Sequence, residues 1–248
     1  SVLNWKFLGR NFRCIMPKLT DADIDTRNDL FNVGLMEQSY KFAKKKLEAD
    51  PENTDLMSFF GQTAYEYEKT KNPIMKTHWI DRMDVLHDAL EITHKCMEKD
   101  PEALQCQRYF VLLALKAAGQ QFFNKEFTNI GIMYNYNRII NRGEALLKKK
   151  FYPDVGLALA TLHGQVARKW YNPYRWIQRI VYGIPDENVL YQKAIDLHKE
   201  VMKHLPDNME NVVRLGQACL LKGEDADARK YFSKVRNEMI KREKSDDI

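Results

Sequence analysis

Long apolar runs are missing from this 248-residue sequence: the longest uninterrupted one is Tyr109 to Leu115. A bilayer-crossing helix needs roughly 18 apolar residues, so a transmembrane helix is excluded for these residues. With 11 glycines, 8 prolines and few serines, the chain is no low-complexity linker. Cysteine is scarce and scattered: Cys14, Cys96, Cys106 and Cys219 include no CxxC pair. So few cysteines make no disulfide framework, and reduced thiols in a cytosolic setting are expected. The phosphate-cradling and nucleophile motifs GxGxxG, GxxxxGK[ST], HExxH and GxSxG are all absent. His87 and His94, and His198 and His204, do not fall at the i,i+4 spacing that helix-borne metal ligands use, and read as helix-surface side chains. Asp81, Asp84 and Asp88 read as a solvated acidic stripe. No catalytic residue, cofactor or metal site is expected, and the protein is read as a non-enzyme.

What is present describes a folded domain. Hydrophobic residues make up 44% and charged residues 29% of the chain, enough apolar material for a core. The formal net charge is +5 and the pI about 8.8, mildly basic and well below the charge density of a dedicated nucleic-acid binder, so no nucleic-acid partner is expected. The prolines punctuate helical patterns: Pro51, Pro101, Pro153 and Pro206 follow helical runs, and Pro73, Pro173 and Pro185 mark connections. Between them apolar residues recur at three and four, as in Leu86-Leu90-Thr93-Met97, Phe110-Leu113-Ala117 and Val212-Leu215-Cys219. No strand-like alternation is sustained. The class is all-α, with nine or ten helices.

The helices repeat. Ala89 to Pro101 overlays Ala194 to Pro206 without a gap, keeping the small first residue, the acid two places on, the methionine and the final proline. Ser39 to Pro51 shares the small start and the terminal proline. A small residue that lets a partner helix approach, followed by a helix-ending proline, is the second helix of a tetratricopeptide repeat. Gly61-Gln62, Gly164-Gln165 and Gly216-Gln217 stand in phase with Pro51, Pro153 and Pro206 and predict tight hairpins in the first helices. The last repeat, beginning near Met209, is the most regular; Gln120 to Lys150 fits the pattern poorly. Such repeats bury a core only against neighbours, which predicts one continuous right-handed tetratricopeptide-like solenoid. An extra segment from Trp170 to Asn188 carries Trp170, Tyr171, Tyr174, Trp176 and Tyr182 and is expected to be an ordered helical excursion.

The order of several blocks resembles the regulator of microtubule dynamics family. They are Phe151-Tyr152-Pro153-Asp154, Leu162-His163-Gly164-Gln165-Val166-Ala167, Trp176 to Ile180, Gly183-Ile184-Pro185, Tyr191 to Ala194, Pro206 and Leu215-Gly216-Gln217. The resemblance spans Leu30 to Val235; where the family is rich in Trp-Arg-Leu, this chain has Phe59-Phe60-Gly61. It implies a tetratricopeptide-like fold, association with microtubules and, in some members, a mitochondrial or endoplasmic-reticulum anchor. It brings no catalytic or ligand residues.

Tubulin tails are acidic, so a microtubule-binding face would gather lysine and arginine. Arg138, Arg142, Lys148, Lys149 and Lys150 form the densest cluster, offset by Glu144, and Lys44, Lys45 and Lys46 form a second. Solvated helix ends, favoured by the C-terminal dipole, explain any single lysine equally well. The functional expectation is a microtubule-associated scaffold that also takes partner proteins in the repeat groove; the alternatives are a generic peptide-binding adaptor and a lipid-binding membrane-contact module. Residues 1–25 read as a basic N-terminal segment, 26–243 as one domain and 244–248 as a tail. The first 20 residues hold no acid and intersperse Trp5, Phe7 and Phe12 with Lys6, Arg10, Arg13 and Lys18. Both a docked strap and a targeting or membrane-surface helix fit that pattern. The expected location is cytoplasmic, on the cytoskeleton or spindle, with mitochondrial association through a targeting segment upstream of Ser1.

Overall fold

The computed structural model describes residues 19–70, 76–123, 129–168 and 183–246. These residues are all-helical and form ten helices in antiparallel succession. They are α1 (Asp21–Asn32), α2 (Met36–Ala49), α3 (Thr54–Lys69), α4 (Lys76–Lys99), α5 (Leu104–Phe123), α6 (Asn129–Lys149), α7 (Pro153–Arg168), α8 (Glu187–His204), α9 (Met209–Lys222) and α10 (Asp225–Asp246). Most of the expected excursion, 170–182, and most of the basic N-terminal segment, 1–18, lie outside the described residues. Helix α1 starts ahead of the boundary expected at residue 26, because Thr20 and Asp23 close a capping box around its first turn. At the other end α10 runs through residue 244 to Asp246.

Three of the prolines occupy one structural position. In Asp50-Pro51-Glu52-Asn53 the Asn53 N–H donates to the Asp50 carbonyl at 3.3 Å; Ala103 donates to Asp100 at 3.1 Å and Asn208 to Leu205 at 3.2 Å. Each proline is thus the second residue of a hydrogen-bonded turn, where its fixed φ is already correct. The next helix is then capped by a side chain: Asn53 Oδ1 accepts from the Asp55 and Leu56 amides at 3.0 and 3.2 Å, and Asn208 Oδ1 from Asn211 at 3.0 Å. The turn into α10 uses Gly223 at φ 89°, a left-handed cap that a residue with a Cβ adopts at a cost.

Each helix packs on the next, and the odd helices α3, α5, α7 and α9 also touch in sequence along one row. No even helix reaches the next even one among the described residues. The odd row is therefore the inner, concave side of the solenoid, and α2, α4, α6, α8 and α10 form the outer row. Helix α6, in the stretch that fits the repeat poorly, still pairs with α5 and α7 as an outer helix. Helices α7 and α8 pack closely although residues 169–186 intervene.

Close approach depends on missing side chains. A methyl group on Gly61 would lie 2.5 Å from the Thr93 Cγ2 of α4, and one on Gly216 would lie 2.9 Å from the Phe232 ring of α10. Ala89 and Ala194 are fully buried and Ala228 nearly so. Gly164 departs from the expectation: a methyl group there would meet nothing within 4 Å. Its equivalent position faces an open notch instead of a neighbouring helix.

Cys96 and Cys106, ten residues apart at the turn from α4 to α5, form a disulfide with a Cα–Cα distance of 6.2 Å. This corrects the expectation of reduced thiols. Packing of α4 on α5 brings together two buried sulfurs whose spacing alone offered no reason to pair them, whereas Cys219 is a free, buried thiol.

Ala194→Leu and Gly216→Ala should each lower stability by about 1–3 kcal/mol through overpacking. Gly164→Ala should leave it unchanged or raise it by up to about 1 kcal/mol, since alanine favours helix and meets no neighbour. Urea unfolding of the three variants checks this; an equal loss at Gly164 would show that the notch is filled. In peptide maps of the denatured chain, Cys219 should alkylate without reductant, and Cys96 and Cys106 only after reduction.

Candidate functional site

The inner row opens into a cleft of about 670 Å3 between α1, α3, α5 and the turn from α6 to α7. Its floor is aromatic: Phe59 on α3, Tyr109 on α5 and Tyr152 before α7, all nearly buried. Cations lie on these rings. The Arg27 guanidinium of α1 sits 5.4 Å from the Phe59 centroid, Arg108 sits 5.2 and 5.0 Å from those of Tyr109 and Tyr152, and Lys150 sits 5.4 Å from Tyr152. Such stacking fixes a guanidinium in place and leaves its edge available.

The two arginines differ in what that edge does. Arg108 is committed: its Nη2 and Nε donate to Asp154 Oδ2 at 2.7 and 3.0 Å, tying α5 to α7. Arg27 donates from Nε and Nη2 only to Asn28 Oδ1, at 3.2 and 2.6 Å. Among the described residues it meets no carboxylate at ion-pairing distance, although it is half-buried. Burial lowers its pKa from the usual arginine value. Burial likewise pushes the Tyr109 hydroxyl up to about 12, so it remains a neutral donor in the cleft.

Solved structures with this arrangement of helices exist. Two MamA crystal structures superpose with TM-scores of 0.52 and 0.51 at 16% and 18% identity, covering 90% and 92% of this chain and 93% and 99% of theirs. TTC0263, a thermophilic TPR protein of Thermus thermophilus, superposes with a TM-score of 0.54 at 12% identity, covering 86% of this chain and 88% of its own. The fold is tetratricopeptide-like. No family model and no curated protein matches the sequence.

The lysine clusters occupy the outer row and do not converge. Lys44, Lys45 and Lys46 lie on α2, and Arg138, Arg142, Lys148 and Lys149 on α6 with Lys150 just beyond its end; the two helices do not touch. Several of these charges are already answered: Lys44 by Asp88 at 3.1 Å, Lys46 by Asp23 at 2.6 Å and Lys149 by Glu102 at 3.0 Å. Arg142 lies 4.9 Å from the Phe110 ring, and Lys45, Lys148 and Arg138 are exposed. Lys150 alone belongs to both the basic cluster and the cleft. Sequence reasoning missed Arg27, Arg108 and Tyr109. The available signal was the set of polar residues beside core aromatics, Ser58 and Gln62 next to Phe59 and Gln105 and Arg108 next to Tyr109, which the apolar stripes left unexplained.

His198 corrects the reading of surface histidines. Only 2% exposed, it donates from Nδ1 to Asn211 Oδ1 at 2.8 Å, and Asn211 Nδ2 donates back to its carbonyl at 3.0 Å. Burial holds His198 at a pKa of about 4, and burial does the same for His163, which also feels Lys193. Among the described residues no three His, Cys, Asp or Glu side chains cluster as a metal ion would require, and no helix is long and apolar enough to cross a membrane.

Both histidines are held neutral in the fold but take up protons when unfolded, near the ordinary pKa of about 6.5. Their depressed values therefore contribute stability that is complete above pH 6.5 and lost as pH falls toward 4. Urea unfolding between pH 7 and 4.5 should show stability declining, with proton uptake on unfolding. An imidazole resonance of either ring titrating near 6.5 in the folded protein would contradict this.

Proposed function

We propose that this protein is a peptide-binding adaptor that receives an extended, acidic segment of a partner protein along its inner row of helices. The observation that carries the reading is Arg27: a guanidinium over the Phe59 ring, half-buried in a 670 Å3 cleft and, among the described residues, bonded to no carboxylate, Glu66 acting on it only through space. Leaving such a group unpaired costs stability in the free protein, and an incoming carboxylate would restore a charge-assisted pair. The cleft floor, with Leu19, Ile24 and Phe59, suits an apolar side chain next to that acid. The apparatus is for binding.

A narrower reading follows from the resemblance to regulators of microtubule dynamics: acidic tubulin surfaces docking on the outer lysines. Its support is the exposure of Lys45 and Lys148 on the outer row. The ion pairs at Lys44, Lys46 and Lys149 subtract from it, and exposed pairs of this kind hold only about 0–1 kcal/mol against a better partner. Localisation on the cytoskeleton belongs to this reading, and a basic face would serve an anionic lipid surface as well.

A pool of fluorescent nonapeptides rich in Asp and Glu, followed by anisotropy, should bind the intact protein. Arg27→Ala should weaken binding by about tenfold, or 1.4 kcal/mol, and raised salt should weaken it further. Binding indifferent to Arg27 and to salt would overturn the adaptor reading of this cleft. In parallel, reversing Lys148, Lys149 and Lys150 to Glu should abolish co-pelleting with microtubules if the narrower reading holds. Unchanged pelleting of the folded variant would remove the lysines from it.

A further inference from the structure

The glycine that packs against nothing marks a second station on the inner row. Gly164 lies on α7 in a cleft of about 160 Å3 between α7, α8 and α9, remote in sequence from the larger cleft. The floor is made of small residues, Ala160, Ala194 and Ala218, and Arg168 and Arg214 stand at its rim. A volume of this size holds one side chain and is too small for a cofactor.

His198 lines this cleft while being only 2% exposed. Its chemistry follows from its neighbour. Asn211 Nδ2 must donate to the His198 carbonyl, which turns Oδ1 toward the ring. An amide oxygen only accepts, so the proton sits on Nδ1 and the lone pair on Nε2. Nε2 has no hydrogen-bond partner among the described residues, and the His198 side chain lines the cleft. A buried acceptor without a donor is a cost that a ligand can remove.

We propose that this cleft takes one uncharged, hydrogen-bond-donating side chain of an extended acidic peptide, a Ser, Thr, Asn or Gln, with its hydroxyl or amide donating to His198 Nε2 and the peptide backbone lying over Gly164. A Lys or Arg side chain would also offer donors, but Arg168 and Arg214 repel it. Arg214 is itself held by Glu210 at 2.7 Å, so the acidic flank of the peptide meets Arg168, which is exposed. The missing Cβ at Gly164 lets backbone approach the wall of α7. The inference rests on the adaptor reading only for the nature of the occupant.

The test is selection of a random nonapeptide phage library on the intact protein, the wild type against Gly164→Leu. Leucine fills the notch and favours helix, so the variant folds, and an unshifted or raised melting temperature verifies that. The wild type should enrich peptides with a central Ser, Thr, Asn or Gln flanked by Asp or Glu, and Gly164→Leu should bind them roughly tenfold more weakly. In long-range 15N spectra, the selected peptide should move the His198 Nε2 resonance, and a copy with Leu at the central position should not. Equal enrichment on both proteins, an unmoved Nε2 resonance, or displacement by a nine-residue oligoadenylate would overturn the proposal. If binding then depends on Arg27 alone, the adaptor reading stands without this station; if no peptide is enriched on either protein, both fall.

Discussion

Two helices approach closely only where a side chain is absent, and the rest of this structure depends on that approach. Gly61 against Thr93, Gly216 against Phe232 and the buried Ala89, Ala194 and Ala228 set the spacing within successive hairpins. No hairpin can bury its apolar face alone, so each is stabilised by its neighbours and the array holds as one unit. The same spacing brings the odd helices into a contiguous row. Arg108 can then reach Asp154 on the next inner helix, and Lys116 of α5 can neutralise the fully buried Glu68 of α3 at 3.1 Å. These two pairs stitch the row together, and removing Lys116 would leave the buried Glu68 carboxylate without its cation, a costlier loss than breaking an exposed pair.

Charge is distributed unequally between the two faces. On the outer row, lysines answer carboxylates across element boundaries: Lys44 with Asp88 of α4, and Lys95 and Lys99 with Glu52 in the turn from α2 to α3. Both members of these pairs are largely in water and contribute little each. On the inner row Arg108 and Lys116 are paired with Asp154 and Glu68, while Arg27 lies over an aromatic ring. Arg27 meets no carboxylate at ion-pairing distance among the described residues, which distinguishes it from those paired cations.

Buried polar groups give the C-terminal half its definition. His198 and Asn211 satisfy each other across α8 and α9 with two hydrogen bonds, fixing both the tautomer and the register of the helices. The Cys96–Cys106 bond does comparable work between α4 and α5 by covalent means. The inner surface is therefore presented by helices whose mutual positions are fixed by core contacts, so its clefts are preformed.

The sequence by itself determined what is local. Helix class followed from the spacing of apolar residues, and turn positions followed from Pro51, Pro101 and Pro206, because proline fixes its own φ wherever it stands. Ala89, Ala194 and Gly216 were legible as crossing points for a related reason: small residues recur in phase only when a neighbour must come close. Tertiary structure decided everything that depends on who the neighbour is. Gly164 and Gly216 carry the same Gly-Gln signal, yet Gly216 meets a phenyl ring and Gly164 meets open space. His198 looked like a surface residue until Asn211 of the following helix closed over it. Cys96 and Cys106 looked unpaired, and Lys46 and Lys149 looked available, because the partner in each case lies across a helix boundary. Backbone propensity acts over a few residues, whereas ion pairs, disulfides and clefts need two segments placed side by side, and only the packed solenoid supplies that placement.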